Sequence, residues 1–527
     1  LPSGEFQSTF DKNLREQLFG AGNYTGTEFI DIDSYDPSTF SLNLFSEDEL
    51  LNNGSPLVYY FGYDIYGNKN TKNASLEDFF KADEGRLIAP FTPIYQAGYI
   101  QDKFAIEDLI FNIGIRVDRY DANQKVLKDQ HLLYNAYKVN EDDPLGIISS
   151  TNIPSTIGSD YVVYVDNISD PTTIVGYRDN SDDTWYNSEG LEISDPGLLA
   201  EAAGGKIAPY LQDAVAAKAG EISIDAFEDY TPEVVFMPRI AFSFPISDEA
   251  QFFAHYDVLT QRPPGANRLE PVDYLFMANT VGATLNNPDL KPEKTVDYEL
   301  GFAKTLSLKS ALKISAFYKE LRDMIQITNI LQAYPAQYYT YGNIDFGTVK
   351  GMSINYDLRR TNNVQMTANY TLQFADGTGS SATSGASLVN TGQPNLRTTI
   401  PLSYDQRHAI SAAFDYHYGR GKDYNGPVWF GAKVFQDAGA NITLSAGSGT
   451  PYSKQSNITQ EAADGINDRS TLEGSLNGSR LPWQFRINMK VNKEFEIKWN
   501  KNKRSYLNVY LQVQNLLDAK NIISVYR

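Results

Sequence analysis

Long runs of apolar–polar alternation are the feature that most constrains this chain. The alternation is clearest in four runs, which are 109–118, 364–374, 483–492 and 507–514. A period of two places the apolar and the polar side chains on opposite faces of a β-strand. These runs are about ten residues long, whereas an ordinary globular strand has about 5–6 residues. Because roughly ten tilted residues cross the hydrocarbon core of a bilayer, the runs favour an all-β transmembrane barrel over a soluble sheet.

The connections between the predicted strands alternate between short and long. We predict strands at 93–104, 108–120, 234–246, 250–260, 294–307, 310–323, 344–360, 363–376, 395–404, 407–418, 427–435, 439–447, 482–496 and 503–516, with a partial strand at 520–527. Segments 105–107 and 361–362 are short connections, whereas 121–233 and 261–293 are long ones. This order places the long loops at one end of the barrel, as in outer-membrane barrels. Two connections, 419–426 and 517–519, are short on the long side.

Composition excludes several classes of protein. The chain has no cysteine and only four histidines, none of them in a metal-type pair, so thiolate chemistry and common zinc sites are excluded. The net charge of −20 argues against nucleic-acid binding. No apolar stretch approaches the roughly 18–20 residues that a membrane-spanning helix requires. No catalytic constellation is recognisable, so we predict that the protein is not an enzyme and holds no cofactor.

The acidic excess is concentrated in two segments. Residues 1–92 contain 15 acidic and 6 basic residues, and residues 121–233 contain 21 and 6. We predict that 1–92 is mostly an extracellular loop region. We also predict that 93–527 is the barrel portion and that 121–233 is a large extracellular insertion with short helices.

The polar faces carry charge at mid-strand, while the opposite faces are uncharged over about five positions. We therefore predict that the apolar faces contact lipid and that the polar faces line a lumen, since unpaired polar groups are costly in lipid. The predicted lumen-facing residues are Arg116, Asp118, Arg239 and His255. The alternative is a soluble β protein with the apolar faces turned inward as a core.

One segment resembles a known family. Residues 286–301, NNPDLKPEKTVDYELG, resemble a segment typical of TonB-dependent receptors, in which a Pro-bearing loop leads into a strand. The residues that carry the resemblance are Asn287, Pro288, Leu290, Pro292, Glu293, Tyr298, Glu299 and Gly301. Segments 342–351, 479–483 and 513–518 are similar to other strands of the family. The Tyr- and Asp-rich loop at 160–190 resembles loops of the SusC/Oar-like receptors of Bacteroidota.

The resemblance implies more than these residues show. It implies a multi-pass barrel of about 22 strands in the outer membrane of a Gram-negative bacterium. It also implies an internal plug domain and a segment that binds TonB. Because about 14–15 strands are found here and no plug-like segment precedes them, we expect a fragment that lacks the plug and the first strands.

Two groups of loop residues are candidate contacts. The aromatic group, which could stack on sugars or hold peptides, is Tyr59, Tyr60, Trp185, Tyr186, Tyr338 and Tyr339. The alternative for this group is packing within the loops. The acidic group, which offers oxygen ligands for calcium, is Asp31, Asp33, Asp36, Asp179, Asp182 and Asp183. The alternative for that group is a solvated acidic loop.

These inferences predict a receptor that takes up a large solute such as an oligosaccharide or a peptide. Its expected partners are outer-membrane lipid, TonB and a surface lipoprotein lid over the loops. One alternative is a receptor-like barrel that serves as a structural or accessory subunit of an outer-membrane assembly. A second alternative is a soluble carbohydrate-binding β protein.

Overall fold

A computed structural model of the chain describes residues 8–56, 59–70, 74–81, 85–279, 282–391, 395, 397–454, 472–500 and 503–525. The long elements in these residues are strands of one large antiparallel sheet, which confirms the predicted all-β fold class. None of the helices in the described residues has the length and apolar character needed to cross a membrane.

Twelve long strands of the described chain form the sheet in strict chain order, each antiparallel to the next. They are β1 (Ile94–Ile106), β2 (Leu109–Asp121), β3 (Glu233–Ser247), β4 (Ala250–Gln261), β5 (Glu293–Ser307), β6 (Ser310–Ile330), β7 (Tyr338–Thr361), β8 (Val364–Gly377), β9 (His408–His417), β10 (Ala438–Gly447), β11 (Gln484–Asn500) and β12 (Lys503–Val513). A thirteenth, two-residue strand pairs with the end of β8. Of the 14–15 strands predicted from the sequence, twelve are long strands of the sheet in the described residues.

The register keeps the two kinds of side chain on separate faces across the whole sheet. On β10, Ile442 lies opposite Phe414 of β9 and Met489 of β11. The next residue, Thr443, lies opposite Ala413 and Asn488 instead. Directly opposed residues share a face, so these rows form an apolar face and a polar face.

The apolar face is rich in aromatic side chains and carries charge at several places. A row of Phe rings crosses four strands near the short connections, with centroid separations of 5.4, 6.4 and 5.9 Å. The rings belong to Phe104, Phe111, Phe242 and Phe252. Asp102, opposite Ile113, and Lys350, opposite Tyr318, place charge within this face, so the prediction that it is uncharged fails there. Further charged residues lie on the same face nearer the ends of the sheet, and they include Arg119, Lys294, Lys304, Glu320, Arg322 and Lys493.

Two predicted strands are not long strands of the sheet. In 395–404 only Ile400–Pro401 is a strand, and it contacts just the last two residues of β8. Segment 427–435 is a separate small hairpin, in which Val428–Trp429 pairs with Ala432–Lys433. The described part of the predicted partial strand, 520–525, is not a strand, and 526–527 lie outside the described residues.

These corrections keep the alternation of connections but change its exceptions. Segments 107–108, 248–249, 308–309 and 362–363 join strands at one end of the sheet, which we call the turn end. Connections 122–232, 262–292, 378–407 and 448–483 leave and rejoin the sheet at the other end, which we call the loop end. Connection 418–437 now falls at the turn end, so the first exception noted in the sequence is replaced by a long connection on the short side. Beyond Arg322, β6 and β7 continue as a two-stranded extension toward the loop end.

The long connections and residues 8–91 pack together at the loop end, and we call this assembly the loop layer. One of its cores joins Leu133, Phe227, Tyr274 and Tyr338, which come from four separate segments. Another joins Leu50, Ile65 and Phe79 to Val272. The helices of the layer are Thr9–Phe19, Glu47–Leu51, Leu76–Lys81, Ile147–Ser150, Gly197–Ala202, Ala214–Ala219, Pro271–Leu275 and Ala386–Val389. Its small strands are Lys125–Leu127, Val162–Val165, Ile174–Arg178, Trp185–Asn187, Glu192–Ile193 and Phe227–Asp229, with Pro451–Tyr452 and Ser479–Arg480.

Candidate functional site

The four predicted lumen residues share the polar face of the sheet. They are Arg116, Asp118, Arg239 and His255. Arg239 lies opposite Gly114, two residues before Arg116 on β2, and His255 lies opposite Ala241, two residues after Arg239. Side chains at even spacing on paired strands lie on one side of the sheet. The structure thus brings the four residues onto one surface. Whether this surface lines a lumen stays a prediction.

A charged cluster extends across β4, β5 and β6 on this face. The Nε2 atom of His255 lies 3.7 Å from a carboxylate oxygen of Asp257 and 3.7 Å from one of Glu299. The ammonium group of Lys313 lies 3.6 Å from the other oxygen of Glu299 and 4.5 Å from the ring centroid of Phe253. His255 therefore lies between two carboxylates, and the lysine partly neutralises one of them.

Two further ion pairs border this cluster. Lys319 on β6 donates a hydrogen bond of 2.8 Å to Asp297 on β5, whose side chain is nearly buried. On β2, Arg116 donates to Asp118 at 2.7 Å and to the Tyr95 hydroxyl at 2.8 Å. Buried or half-buried charges require such partners because they have lost water. This half of the polar face therefore presents charges that are fixed in position.

The other half of the polar face carries mainly hydroxyl and amide groups. The hydroxyls of Ser315 and Ser353 lie 2.9 Å apart, and Asn369 donates to Ser411 at 3.4 Å. Arg486 on β11 donates to the neighbouring amide of Asn488 at 3.1 Å. This surface can exchange hydrogen bonds with a polar solute or with a polar protein surface.

The first half of the family-like segment clasps a loop to β7. Asn287 donates to the carbonyl of Tyr341 at 2.7 Å, and Leu290 is buried. Asn343 exchanges two hydrogen bonds with the backbone of Lys291, at 2.9 and 2.8 Å. Pro288 and Pro292 flank this clasp, and Gln124 from the insertion donates to the Pro288 carbonyl at 3.2 Å. These residues position the entry of β5.

The second half of the segment lies within β5. A carboxylate oxygen of Glu293 accepts a hydrogen bond from the backbone N–H of Ile325 at 2.9 Å. Tyr298 lies on the apolar face, opposite Tyr256, while Glu299 lies on the polar face, opposite His255. Of the family-like residues, Glu299 is the one that contributes charge to the cluster on the polar face.

The loop aromatics divide into two groups. Tyr60, Trp185 and Tyr338 are 8%, 7% and 5% exposed, so they offer almost no surface to a ligand in this conformation. Their burial agrees with the alternative of packing within the loops. Tyr59 is 77% exposed, and Tyr186 and Tyr339 are partly exposed. The structure does not bring the six together, and for Tyr59, Tyr186 and Tyr339 the predicted ligand contact stays a prediction.

A buried charge cluster holds the insertion together. The Arg178 guanidinium is fully buried and pairs with Asp129, with Asp183 at 2.6 Å and with the Tyr164 hydroxyl at 3.2 Å. It also lies over the Trp185 ring, 5.5 Å from the ring centroid. Burial lowers the pKa of the adjacent His131 to about 3, and the Arg178 charge adds to this shift, so the imidazole stays neutral.

The acidic groups proposed as calcium ligands have local partners. Asp36 accepts from the backbone N–H of Ser38 at 2.9 Å, and Asp179 accepts from Ser181 at 2.8 Å. Asp182 accepts from Thr184 at 3.0 Å, while Asp183 pairs with Arg178. The described residues contain no group of three or more acidic or His side chains arranged to hold a metal ion. Calcium binding stays an untested expectation.

A cleft of about 630 Å³ opens between residues 61–91 and the loop end of the sheet. Its walls combine aromatic, apolar and charged side chains, including Phe61, Phe91, Tyr230, Lys125 and Arg268. The Arg268 guanidinium lies over the Phe61 ring, 3.3 Å from its centroid. Sequence patterns do not reveal this cleft, because its walls come from segments that lie far apart along the chain.

A match to a family model shows the family to which this chain belongs. The model described as TonB dependent receptor-like, beta-barrel, matches residues 3–516. The chain belongs to this family. The family-like segment at 286–301 is therefore part of a match that covers nearly the whole chain. The family match confirms the predicted fold, a large antiparallel β-barrel.

Solved structures similar to this chain include an import receptor, an iron transporter and a siderophore receptor. The ferric-catecholate import receptor Fiu from K12 E. coli has 14% identity and a TM-score of 0.39, and the match covers 82% of this chain and 42% of that one. The FrpB iron transporter from Neisseria meningitidis has 10% identity and a TM-score of 0.40, with 81% and 41% covered. The siderophore receptor PiuA from Acinetobacter baumannii has 12% identity and a TM-score of 0.39, with 82% and 40% covered. The chain thus spans about two fifths of their length. Among curated protein sequences there is no match.

Proposed function

We propose that this chain forms barrel wall and loop layer of an outer-membrane receptor that takes up a large solute, such as an oligosaccharide or a peptide, with energy supplied through TonB. One observation carries the proposal: a mainly apolar band runs along one face of the sheet through the middle of its strands, and a mainly polar surface covers the other face. A lipid-facing wall around an aqueous interior requires this division.

The exposure of the apolar band supports lipid as its neighbour. Ile100, Leu300 and Val509 are 72%, 55% and 53% exposed, although they lie in the middle of strands β1, β5 and β12. No second layer of described residues covers this face, since the cores of the chain lie in the loop layer and at the ends of strands. A soluble protein would leave such a band in water, and contiguous exposed apolar surface of this extent marks a membrane or a partner.

The polar groups support a polar solute. The hydroxyl and amide half of the polar face offers donors and acceptors without a dominant charge, as oligosaccharide or peptide recognition requires. The cleft beside Phe61 and Tyr230 adds aromatic surface at the loop end, where an incoming solute would arrive. The proposal includes outer-membrane lipid, TonB and a surface lipoprotein lid as partners. It also includes that the chain belongs to a SusC/Oar-like receptor of a Gram-negative bacterium of the Bacteroidota.

Solute uptake by the producing bacterium tests the proposal. The receptor gene is deleted, and uptake of fluorescent oligosaccharides and peptides is followed with and without a protonophore. We expect deletion to abolish uptake of one solute class and the protonophore to block the remaining uptake in wild-type cells. A matched strain that expresses the receptor from a plasmid controls for polar effects of the deletion.

The same strains distinguish the import function from the alternative role as an accessory subunit. If uptake of all tested solutes persists in the deletion strain while an outer-membrane complex loses a component, the chain serves as an accessory subunit instead. That result would overturn the import proposal and leave the membrane location intact.

A further inference from the structure

One connection at the turn end differs from the others. Segments 107–108, 248–249, 308–309 and 362–363 are two residues long, whereas 418–437, between β9 and β10, has twenty. It contains the small hairpin in which Val428–Trp429 pairs with Ala432–Lys433. Barrel turns on this side need only a few residues. The additional residues are therefore not required to join the two strands.

The tip of this hairpin is apolar and uncovered. Val428 and Trp429 are 56% and 55% exposed, and Phe430 is fully exposed. Phe430 has a backbone φ of +49°, and the next residue, Gly431, also has a positive φ. A bulky aromatic residue in this conformation costs folding free energy. The described chain offers the Phe430 ring no covering surface in return, which points to a contact outside the chain.

The aromatic side chains place the hairpin on the apolar side of the sheet. Tyr416 lies on the apolar face, opposite Val364, and its ring centroid is 5.2 Å from that of Tyr418. The Phe435 ring stacks on Tyr418 at 5.9 Å, and the Trp429 ring packs edge-on against Phe435 at 5.7 Å. The apolar band of the sheet thus continues without a break into the hairpin.

The base of the connection is held from the polar side. Arg420 donates to Asp437 at 2.7 Å and lies 3.6 Å from Glu494 and 3.9 Å from Glu496. Its guanidinium also lies over the Tyr506 ring, at 5.3 Å from the centroid. With its base fixed by these contacts, the hairpin projects from the apolar side rather than turning toward the polar face.

The charge of the connection suits a phosphate-bearing surface. In a chain of net charge −20, segment 418–437 has three basic and two acidic residues, and the exposed Lys422 and Lys433 belong to it. Aromatic side chains beside lysines are typical of the water–lipid interface, where the rings enter the acyl region and the ammonium groups meet phosphates.

We propose that hairpin 427–435 is a lipid anchor, whose Trp429 and Phe430 side chains enter the periplasmic leaflet while Lys422 and Lys433 contact phospholipid phosphates. The inference rests on the proposed function, since it requires the sheet to lie in the outer membrane with its turn end at the periplasm. The anchor fixes the turn end of β9 and β10 at one depth in the bilayer.

Spin labels test the depth of the tip. The native chain contains no cysteine, so Phe430→Cys, Leu308→Cys and Ile100→Cys give three labelling sites in this part of the receptor. The intact receptor is reconstituted in vesicles of phosphatidylethanolamine and phosphatidylglycerol, and collision rates with oxygen and with a nickel chelate are measured. Leu308 is the matched control, because it is a 96% exposed apolar residue in a two-residue turn at the same end. Ile100 reports the middle of the apolar band.

We expect the label at 430 to resemble the label at 100, with high oxygen and low nickel accessibility, and the label at 308 to be aqueous. A second measurement keeps the native tip: brominated acyl chains should quench the fluorescence component that Trp429→Phe removes. They should leave the component removed by Trp185→Phe, which is buried in the loop layer, unquenched.

The outcomes separate the two proposals. If the label at 100 is in lipid, while the label at 430 is aqueous and Trp429 is unquenched, the anchor is overturned and the barrel stands. If the label at 100 is aqueous, the membrane location fails and the anchor fails with it. If the tip becomes shielded only when periplasmic extract is added, its partner is a protein, which also overturns the lipid anchor.

Discussion

Gly301 on β5 lies directly opposite Phe253 on β4, and the missing side chain at Gly301 is what makes room for the phenyl ring. A Cβ atom at Gly301 would come within 2.2 Å of Cζ of Phe253 and within 2.8 Å of the carbonyl oxygen of Ile314. The ring in turn lies under the Lys313 ammonium group, which pairs with Glu299. The glycine of the family-like segment therefore supports the charged cluster on the polar face.

Gly301→Ala should destabilise the barrel by about 1–3 kcal/mol, the usual cost of overpacking. Rotation of Phe253 cannot remove the clash entirely, because the backbone oxygen of Ile314 is also too close. Urea titration measures the change in unfolding free energy, with the folded fraction at each urea concentration read from heat-dependent gel migration. Gly98→Ala on β1 is the control, since no atom lies within 4 Å of the place its Cβ atom would occupy, and the stability should stay nearly unchanged.

Ile442→Arg and Thr443→Arg should differ sharply, although the two residues are neighbours on β10. Ile442 lies in the apolar row and Thr443 in the polar row. An arginine in the lipid at mid-strand costs about 2–4 kcal/mol, whereas one in an aqueous lumen costs little. Folding of both variants into vesicles, with urea midpoints, gives the comparison. Equal destabilisation by the two substitutions would contradict the assignment of the faces.

Arg178→Leu should loosen the insertion of the loop layer. The substitution leaves Asp129 and Asp183 without their buried partner, and breaking a buried pair in this way costs about 3–5 kcal/mol. Hydrogen exchange of 160–187 and cleavage by a protease should both increase, while the barrel strands stay protected. Lys454→Met, which removes an exposed ion pair with Glu473, is the control and should change neither readout. Unchanged exchange in Arg178→Leu would show that the cluster does not stabilise the insertion.

Asp273→Asn should make the loop layer less sensitive to pH. Burial, and then the nearby Glu270 carboxylate, raise the pKa of Asp273 from 3.8 to about 7. Because the folded-state pKa lies above the unfolded one, the folded loop holds the proton more tightly, and its stability falls as pH rises from about 4 to about 7.

The Asn variant should remove most of this fall and be the more stable protein at pH 8. Hydrogen exchange of helix Pro271–Leu275, corrected for intrinsic rates at pH 5 and pH 8, measures it. Asp170→Asn, a change of an exposed loop carboxyl, is the control. A wild-type loop that is equally protected at both pH values would refute the prediction.

The strands of the sheet were largely predictable because their signal is local. Alternation in runs such as 364–374 reflects two different environments on either side of one strand, and this pattern is visible in any single strand. Two of the errors arose where local pattern and long-range contacts disagree. Segment 395–404 has the composition of a strand, but the Asp405 side chain accepts from the Ala375 N–H of β8 and pairs with Arg480, so a side chain satisfies the β8 backbone group that a longer strand would pair with. Segment 427–435 alternates well, yet positive φ angles at Phe430 and Gly431 fold it into a hairpin.

The candidate site was only partly predictable, for a related reason. Arg116 and Arg239 could be placed on the polar face, because the face of a residue follows from strand parity alone. The partners of Arg178 could not, since Asp129 lies 49 residues away and nothing in the local sequence joins them. Likewise, the burial of Tyr338 depends on the insertion, where it donates to the Gln130 carbonyl at 2.7 Å. Parts of the site that depend on contacts between residues far apart in the sequence can be identified only from the structure.

The shared cores of the loop layer have a consequence for how such a receptor can diversify. Phe227 and Tyr274 come from two different connections and form one hydrophobic core with Tyr338 at the start of β7, so neither connection can be exchanged without exposing apolar surface of its neighbours. Variation selected by phages or antibodies is therefore expected to accumulate at solvent-facing tips such as Tyr59 and Leu191, while whole-loop grafts between receptors will require several segments to be transferred together.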